Sequence, residues 1–442
     1  MAVLKVQTER KYRPITLANI EELPEWKALD PEVQEAVRVV SQVLPFRTNE
    51  YVVRELIDWS KVPEDPIFIL TFPQKGMLAP EDFNRIRDLM RKGAPKEEIR
   101  RAAHEIRLKM NPHPAGQLTH NVPVLNGRRL EGLQHKYPET VLIFPGPGQV
   151  CHAFCTYCFR WAQFVGEPDL RMATNESKDL QDYLRVHKEV TDLLFTGGDP
   201  MVMKTPVFER FIRPLLTEEF AHVQNIRIGT KALAYWPFRF FDDDLLRLFE
   251  EIVKAGRHLA IMAHFTHPNE LETDAVREAI KVLRSVGAEI RTQSPVVAHI
   301  NDDPNAWARK WKEEVRLGLV PYYMFIERDT GPKQYFEVPL VKAWEIFRNA
   351  YKQVSGLGRT VRGPSMSAFP GKVRVAGVTE IKGEKVFVLE FLQGRNPDWV
   401  GRPFFAKYDE KATWLDQLKP AFSEKFFYED ELAEMVKRGL SG

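Results

Sequence analysis

The segment CHAFCTYCFR, from Cys151 to Arg160, holds all three cysteines of a 442-residue chain. Cys151, Cys155 and Cys158 form a C-x3-C-x2-C pattern. Three thiols leave one over after any pairing, and a disulfide framework is not clustered in this way. Three readings remain open at this point. The thiols could be buried and structural, since free cysteine packs as a small hydrophobe. They could form a zinc site completed by His152, although zinc modules normally use two ligand pairs separated by a spacer. They could hold an iron–sulfur cluster, for which thiolate is the preferred ligand. A four-iron cluster on three cysteines keeps one iron open, which is useful only where a substrate or cofactor chelates it.

Outward from this segment the chain alternates between two periodicities. The apolar run TVLIF (Thr140–Phe144) precedes the cysteines, and VTDLLFTGG (Val190–Gly198), NIRIGT (Asn225–Thr230) and HLAIMAHF (His258–Phe265) follow as strands. EIRTQSPV (Glu289–Val296) and VPYYMFIE (Val320–Glu327) complete six. Amphipathic stretches separate them. FDDDLLRLFEEIVKAG places Leu245, Leu248, Phe249, Ile252 and Val253 on one stripe. TDAVREAIKVLRSVG does the same with Val276, Ala279, Ile280 and Leu283. Six strand-then-helix units between about residues 139 and 356 predict an α/β fold with a parallel sheet, open or rolled into a barrel. Active groups then collect at the carboxyl ends of the strands. Cys151–Cys158, Thr196-Gly197-Gly198-Asp199, Thr230-Lys231, His264, Gln293-Ser294 and Glu327-Arg328-Asp329 all fall there. That convergence points to an enzyme whatever the exact fold.

The flanks differ in character. Residues 1–135 read as a proline-interrupted helical extension, with PEVQEAVRVVSQVL closed by Pro45 and PKEEIRRAAHEIRLKM as its clearest helices. After Lys372, VRVAGVTEIKGEKVFVLEFL reads as a β-meander turned at Lys382-Gly383-Glu384, and an aromatic, charged tail runs to Gly442. The expected division is 1–135, 136–375 and 376–442. The net charge is +2, with 28% charged residues interspersed in sign, which gives no electrostatic case for nucleic acid or membrane. No segment reaches the ~18–20 apolar residues of a membrane span, and the N-terminus lacks the apolar run of a signal peptide. The chain is read as cytoplasmic and reduced.

The cysteine spacing, with Tyr157 before the third thiol, resembles the radical S-adenosylmethionine (SAM) superfamily. From about His135 to Val375 the chain is similar to the lysine 2,3-aminomutase family. HKYPETVLIF, the cysteine loop, LLFTGGDP, IRIGT, AHFTHPNE, TQSPVV, HIND, VPYYMFI and PGKVRV occur in the same order. The resemblance implies a partial (β/α)6 barrel, a [4Fe–4S] cluster, SAM and pyridoxal 5′-phosphate. It also implies exchange of an amino group between Cα and Cβ of an amino acid. A flavodoxin- or ferredoxin-type electron donor and a homo-oligomer come with it.

Carried over residue by residue, the cluster ligands are Cys151, Cys155 and Cys158. The SAM-side residues are Tyr157, Gly197, Gly198, Asp199, His264 and Gln293, with Asp199 accepting from the methionyl amine and the glycines allowing close approach. Lys372 matches the family's Schiff-base lysine, Lys136 a phosphate-side basic residue, and Tyr137 a residue that packs on the cofactor. Arg160 matches the arginine that holds the substrate's α-carboxylate. Three departures stand out. Only Gly371 survives of the glycine run before the lysine, Thr140 replaces a second phosphate-side arginine, and Trp161-Ala162-Gln163-Phe164 is less basic than the family's loop. Where lysine-specific members grip the ε-ammonium with two aspartates, this chain has Arg328 and Ser365. An arginine there favours an acidic or non-cationic substrate such as glutamate, unless Asp329 takes its place. The competing reading is a radical enzyme on the same scaffold with lysine, another amino acid or a protein-borne residue as substrate and a different outcome. Extra cysteines that some relatives use for zinc are missing, so no structural zinc is expected.

Overall fold

The computed structural model describes residues 10–117, 119–167, 172–175 and 177–439. The start of the expected helical extension, the first residue of ESKDLQDYLRVHKE and the end of the tail lie outside them. The N-terminal part is largely helical: α1 (Pro31–Val40), α2 (Pro66–Thr71), α3 (Pro80–Arg91) and α4 (Lys96–Lys109). Helix α1 buries Ala36, Val37, Val39 and Val40. It ends at Ser41 rather than at Pro45, and Val43 is buried just beyond it.

One eleven-stranded mixed sheet dominates the rest. Its strands are β1 (Leu133–Tyr137), β2 (Thr140–Ile143), β3 (Asp192–Phe195), β4 (Asn225–Thr230), β5 (His258–His264) and β6 (Glu289–Val296). They continue with β7 (Val320–Ile326), β8 (Arg362–Ser367), β9 (Gly371–Ile381), β10 (Glu384–Gly394) and β11 (Pro403–Lys407). Spatial order follows chain order throughout. β2 to β8 run parallel, while β1 and the β8–β11 pairings are antiparallel. The six expected strands are present. β8 is a seventh parallel strand that the alternation did not signal, because RGPSMS carries a proline and no apolar period.

Among the described residues the longer helices that cross between the parallel strands are α5 (Ser177–Val186), α6 (Thr205–Ile212), α7 (Asp243–Lys254), α8 (Asp274–Ser285), α9 (Pro304–Arg316) and α10 (Leu340–Tyr351). Their ends are chemically determined. Asp242 caps α7 by accepting from the Asp244 and Leu245 amides, and Thr273 caps α8 at Val276. Gly256 and Gly287, at φ +75° and +85°, stop them in the left-handed conformation that terminates helices. Leu245, Leu248, Phe249 and Ile252 face inward on α7, whereas Val253 is only partly buried.

The meander turns at Lys382 and Gly383, both at positive φ. The expected boundary between residues 375 and 376 falls inside β9, so the meander extends the main sheet. The tail ends in α11 (Glu429–Lys437), preceded by Phe426, Phe427 and Tyr428 packed against Phe391 and Phe404. Two apolar clusters result. The first joins the N-terminal helices to β1–β6, and the second joins α9 and α10 to β7–β11. Among the described residues no helix is long and apolar enough to cross a membrane.

Candidate active site

The cysteine segment follows β2 and is pinned from the N-terminal side. Phe154 N donates to Arg47 O at 2.8 Å, Thr156 N to Leu70 O at 2.9 Å, and Thr156 Oγ1 to Ile69 O at 2.7 Å. Cys158 N donates back to Cys155 O at 3.1 Å, closing a turn that presents the thiols. All three are free and partly exposed. Burial is the main influence on each: it pushes Cys158 up to about 12, raises Cys155 and raises Cys151 well above the usual thiol range. Thiols in such surroundings become thiolates only when a metal supplies the compensating charge.

Among the described residues no three His, Cys, Asp or Glu side chains converge where a single ion could sit. His152 is buried, is depressed to about 3 by burial, and uses its carbonyl to accept from Tyr12 Oη and Asn49 Nδ2. The thiols are therefore not arranged as a mononuclear zinc site with His152. In an iron–sulfur cubane each thiolate takes a different iron, and the donor set fits that group.

Gly197 and Gly198 follow β3. A Cβ on Gly198 would lie 2.4 Å from Val150 N and 2.8 Å from Gly148 O, and one on Gly197 2.1 Å from Gln149 Nε2. These glycines let the loop after β3 pack against the chain entering the cysteine segment. Asp199 is buried and bound on several sides. Its carboxylate accepts from Thr230 Oγ1 at 2.7 Å, Lys231 N at 2.9 Å and Met201 N at 2.9 Å. Burial lifts it to about 6 against those hydrogen bonds. In this structure the aspartate ties the glycine loop to the end of β4.

A cavity of about 280 Å³ is lined by residues from β1 to β10, some at strand ends and others, such as Leu142, Arg227 and Tyr323, within the strands. Tyr157, Arg160, His264, Gln293, Arg328, Lys136, Tyr137 and Lys372 all line it. Sheet register sets part of this: Gln293 pairs with His264 on one side and Tyr323 on the other. His264 is held neutral, far below its ordinary value, by burial and then by Lys231 and Lys310. Tyr157 Oη bonds Thr266 Oγ1 at 2.7 Å, which fixes the ring between the cysteine segment and β5.

Lys372 is the second residue of β9, beside Gln393 in register. Its Nζ donates to Gln393 Oε1 at 3.1 Å and lies 4.1 Å from the Tyr323 ring centroid. Burial brings it down to about 8, with Tyr322 opposing and Arg227, Arg362 and Arg328 adding to the depression. A lysine so placed is suited to capture an aldehyde. Gln393 Nε2 in turn donates to Glu139 Oε1 at 3.0 Å, in the β1–β2 turn.

Arg160 is 7% exposed, lies 4.3 Å from the Phe144 ring centroid, and has a buried Nη1 without a partner. Arg328 donates from Nη2 to Ser367 O at 2.9 Å, and its Nε is likewise buried and unpartnered. Asp329 does not line the cavity; Asn111 Nδ2 donates to its carbonyl at 2.6 Å and lies 3.4 Å from its Oδ2. Ser365 is fully buried in β8, 3.5 Å from Met324 O, and does not line the cavity either; Ser367 does. The lining thus carries Lys136, Arg160, Arg227, Arg328 and Lys372 against one carboxyl, Glu327, which burial raises well above the carboxylate range. Unpartnered guanidinium nitrogens beside a buried amine fit pyridoxal phosphate and a carboxylate-bearing substrate.

Gln393, Arg227, Phe159, Asn121 and Arg395 belong to or support this site and were not singled out from the sequence. Phe159 and Arg227 sit inside the quoted segments CHAFCTYCFR and IRIGT but carried no chemistry of their own there, whereas Asn121, Gln393 and Arg395 lie outside every quoted motif and are brought to the site only by the folded sheet.

No protein-family model matches the chain. It is 31% identical over 412 residues to a protein of Aquifex aeolicus named "Putative L-lysine 2,3-aminomutase", covering 93% of this chain and 96% of that one. It is 26% identical over 262 residues to the L-lysine 2,3-aminomutase of Clostridium subterminale, covering 59% and 60%. It is 26% identical over 225 residues to the glutamate 2,3-aminomutase of Clostridioides difficile, covering 51% of each. A radical SAM methyltransferase structure from Sphaerobacter thermophilus aligns with a TM-score of 0.38 at 15% identity, over 62% of this chain and 91% of that one, too loosely to argue from. On the near full-length match, the chain belongs to the lysine 2,3-aminomutase family.

Proposed function

We propose that this chain is a radical SAM, pyridoxal phosphate-dependent 2,3-aminomutase acting on an acidic or otherwise non-cationic amino acid, glutamate being the first candidate. The observation that carries the substrate reading is the charge of the lining: among the described residues Lys136, Arg160, Arg328 and Lys372 have no carboxylate ion-pair partner, Arg227 is paired with Asp192, and one raised carboxyl, Glu327, faces them, with Arg328 inside and Asp329 outside. A lysine ε-ammonium placed there would meet like charge, whereas a distal carboxylate would find Arg328 Nε unpartnered.

Bound SAM and pyridoxal phosphate would supply a carbon radical and an electron sink for the migrating nitrogen. Cys151, Cys155 and Cys158 would hold the cluster. Tyr157, His264 and Gln293 border that end of the cavity, while Gly197, Gly198 and Asp199 hold the loop behind it. Lys372 presents its amine to the aldehyde, Lys136 balances the phosphate, and Tyr137 packs beside both. Arg160 holds the α-carboxylate with its free Nη1, which fixes Cβ relative to the radical source. Ser365 acts only through the packing of β8.

A partial (β/α)6 barrel is the proposed layout, and two observations support it. Ten successive strands contribute to one cavity, and the Gln393–Glu139 bond brings β10 against the β1–β2 turn. A flavodoxin- or ferredoxin-type protein is the proposed electron donor.

The test is incubation of reduced, cluster-reconstituted enzyme with SAM, pyridoxal phosphate and a panel of amino acids. Mass spectrometry follows 5′-deoxyadenosine and β-amino products. β-Glutamate is the expected product; β-lysine without β-glutamate would show the charge reading to be wrong. 5′-Deoxyadenosine without any β-amino acid would favour a radical enzyme of different outcome.

A further inference from the structure

The three residues between β8 and β9 are Ala368, Phe369 and Pro370. Four successive carbonyls from Ser367 to Pro370 are each taken by a donor. Arg328 Nη2 bonds Ser367 O at 2.9 Å, Lys136 Nζ bonds Ala368 O, Arg395 Nε bonds Phe369 O at 2.9 Å, and Arg395 N bonds Pro370 O at 3.0 Å. Three of the four donors are cationic side chains from separate parts of the fold. Arg395 also donates from Nη2 to Asn121 Oδ1 at 2.6 Å, and Asn121 lines the cavity beside Lys136.

Carbonyl oxygens carry partial charge, so they satisfy the hydrogen-bond geometry of these cations without neutralising them. Arg227 and Arg374 have carboxylate partners, Asp192 and Glu390. Among the described residues Lys136 and Arg395 are in no ion pair; their partners are the carbonyls and Asn121. The Lys136 ammonium is depressed by burial first and by Arg395 next, ahead of Arg328 and Lys372. Two buried cations, repelling each other across adjacent carbonyls, are stabilised by an anion of more than one charge. A phosphate monoester carries about −1.5 to −2 at neutral pH.

We propose that Arg395 is the second cation of a phosphate-binding end, acting with Lys136 through the braced 367–370 segment that leads into Lys372. This inference rests on the cofactor reading above and adds a residue to it. Arg395 stands one layer behind the cavity wall, so its role is to position the segment and supply charge to the anion.

The experiment compares pyridoxal 5′-phosphate with pyridoxal on the purified full-length chain, read by the absorption band that Lys372 gives on capturing the aldehyde. Wild type is expected to prefer the phosphorylated compound. Arg395→Gln, which keeps a polar group near Asn121, is expected to lose about tenfold or more in affinity for pyridoxal phosphate. Its affinity for pyridoxal should stay within about threefold. Arg395→Lys should restore part of the preference. Equal weakening of both compounds in Arg395→Gln would make the arginine a purely structural brace and overturn the inference, as would an unchanged preference. If wild type captures neither compound, the cofactor reading fails and the inference falls with it.

Discussion

Two regions of the molecule, the cysteine segment and the Lys372 side of the cavity, are built in opposite ways. In the first the three thiols lie within eight consecutive residues, none of them in the cavity lining, and the fold's work is to clamp that segment. Arg47 and the Ile69–Leu70 end of α2 supply carbonyls to its backbone and Thr156 hydroxyl, and Gly198 brings the loop after β3 within contact of Val150. At the lysine end nothing is local. Lys136, Arg328, Lys372 and Gln393 come from β1, the β7 exit, β9 and β10, and they meet only because the sheet order carries them to one rim. The first end is specified by spacing along the chain, the second by register across it. Damage to the first should therefore be all-or-none, and damage to the second graded.

The largest effect is expected from Cys155→Ala. With two thiolates left the cluster should not assemble, iron per chain should drop to background, and SAM cleavage should be lost. Retention of four irons and cleavage would break the contrast at its strong end. Lys372→Ala comes next. It should abolish the aldehyde-capture band and lower β-amino product by at least about 10³-fold, yet iron content should stay at the wild-type level.

Lys372 also gives a pH signature. Its folded value of about 8 lies below the ordinary 10.5, so the unfolded chain binds more protons between those values. Its burial cost is therefore relieved, and stability gains, as pH rises through about 8 towards 10.5. The rate of aldehyde capture, which needs the neutral amine, should rise with a midpoint near pH 8. A midpoint above 10 would show the lysine to be solvated rather than buried.

Gly198→Ala is smaller in activity terms but informative. The added methyl meets backbone atoms at 2.4–2.8 Å, so the cysteine approach must shift. A loss of about 1–3 kcal/mol in unfolding free energy and weaker iron retention are expected. The least effect belongs to Asp329→Ala. Its contacts are with Asn111 outside the cavity, so amino-acid preference should move by no more than about twofold. A larger shift towards lysine rejection would place that carboxylate in the substrate site.

Legibility from sequence followed the same division. The six strands, their crossover helices and the meander turn could be read because apolar periodicity and caps are local signals, as at Asp242 and Thr273. β8 escaped because a buried strand with Pro364 has neither alternation nor β-branched content. The cysteine cluster was visible from spacing alone. Lys372 and Lys136 needed a family resemblance, and Arg395 and Gln393 had no signal, since a residue's value at this rim depends on partners more than 20 residues away in the chain. Glycine-197 and glycine-198 were read as space for a ligand, and the structure adds a packing reason for both.

The switch in strand direction after β8 has a mechanical corollary. The parallel strands bring residues from their interiors, such as Leu142, Arg227 and Tyr323, as well as from their carboxyl ends to the cavity. The reversal starts β9 beside the end of β8, so the Lys372 amine stands on hydrogen-bonded ladder from the second residue of the strand, flanked by Ser367 and Gln393. Lys372 is thus carried on paired sheet backbone, next to the irregularity in the β9–β10 pairing between Lys372 and Val373, and its reach is set chiefly by rotation of its own side chain.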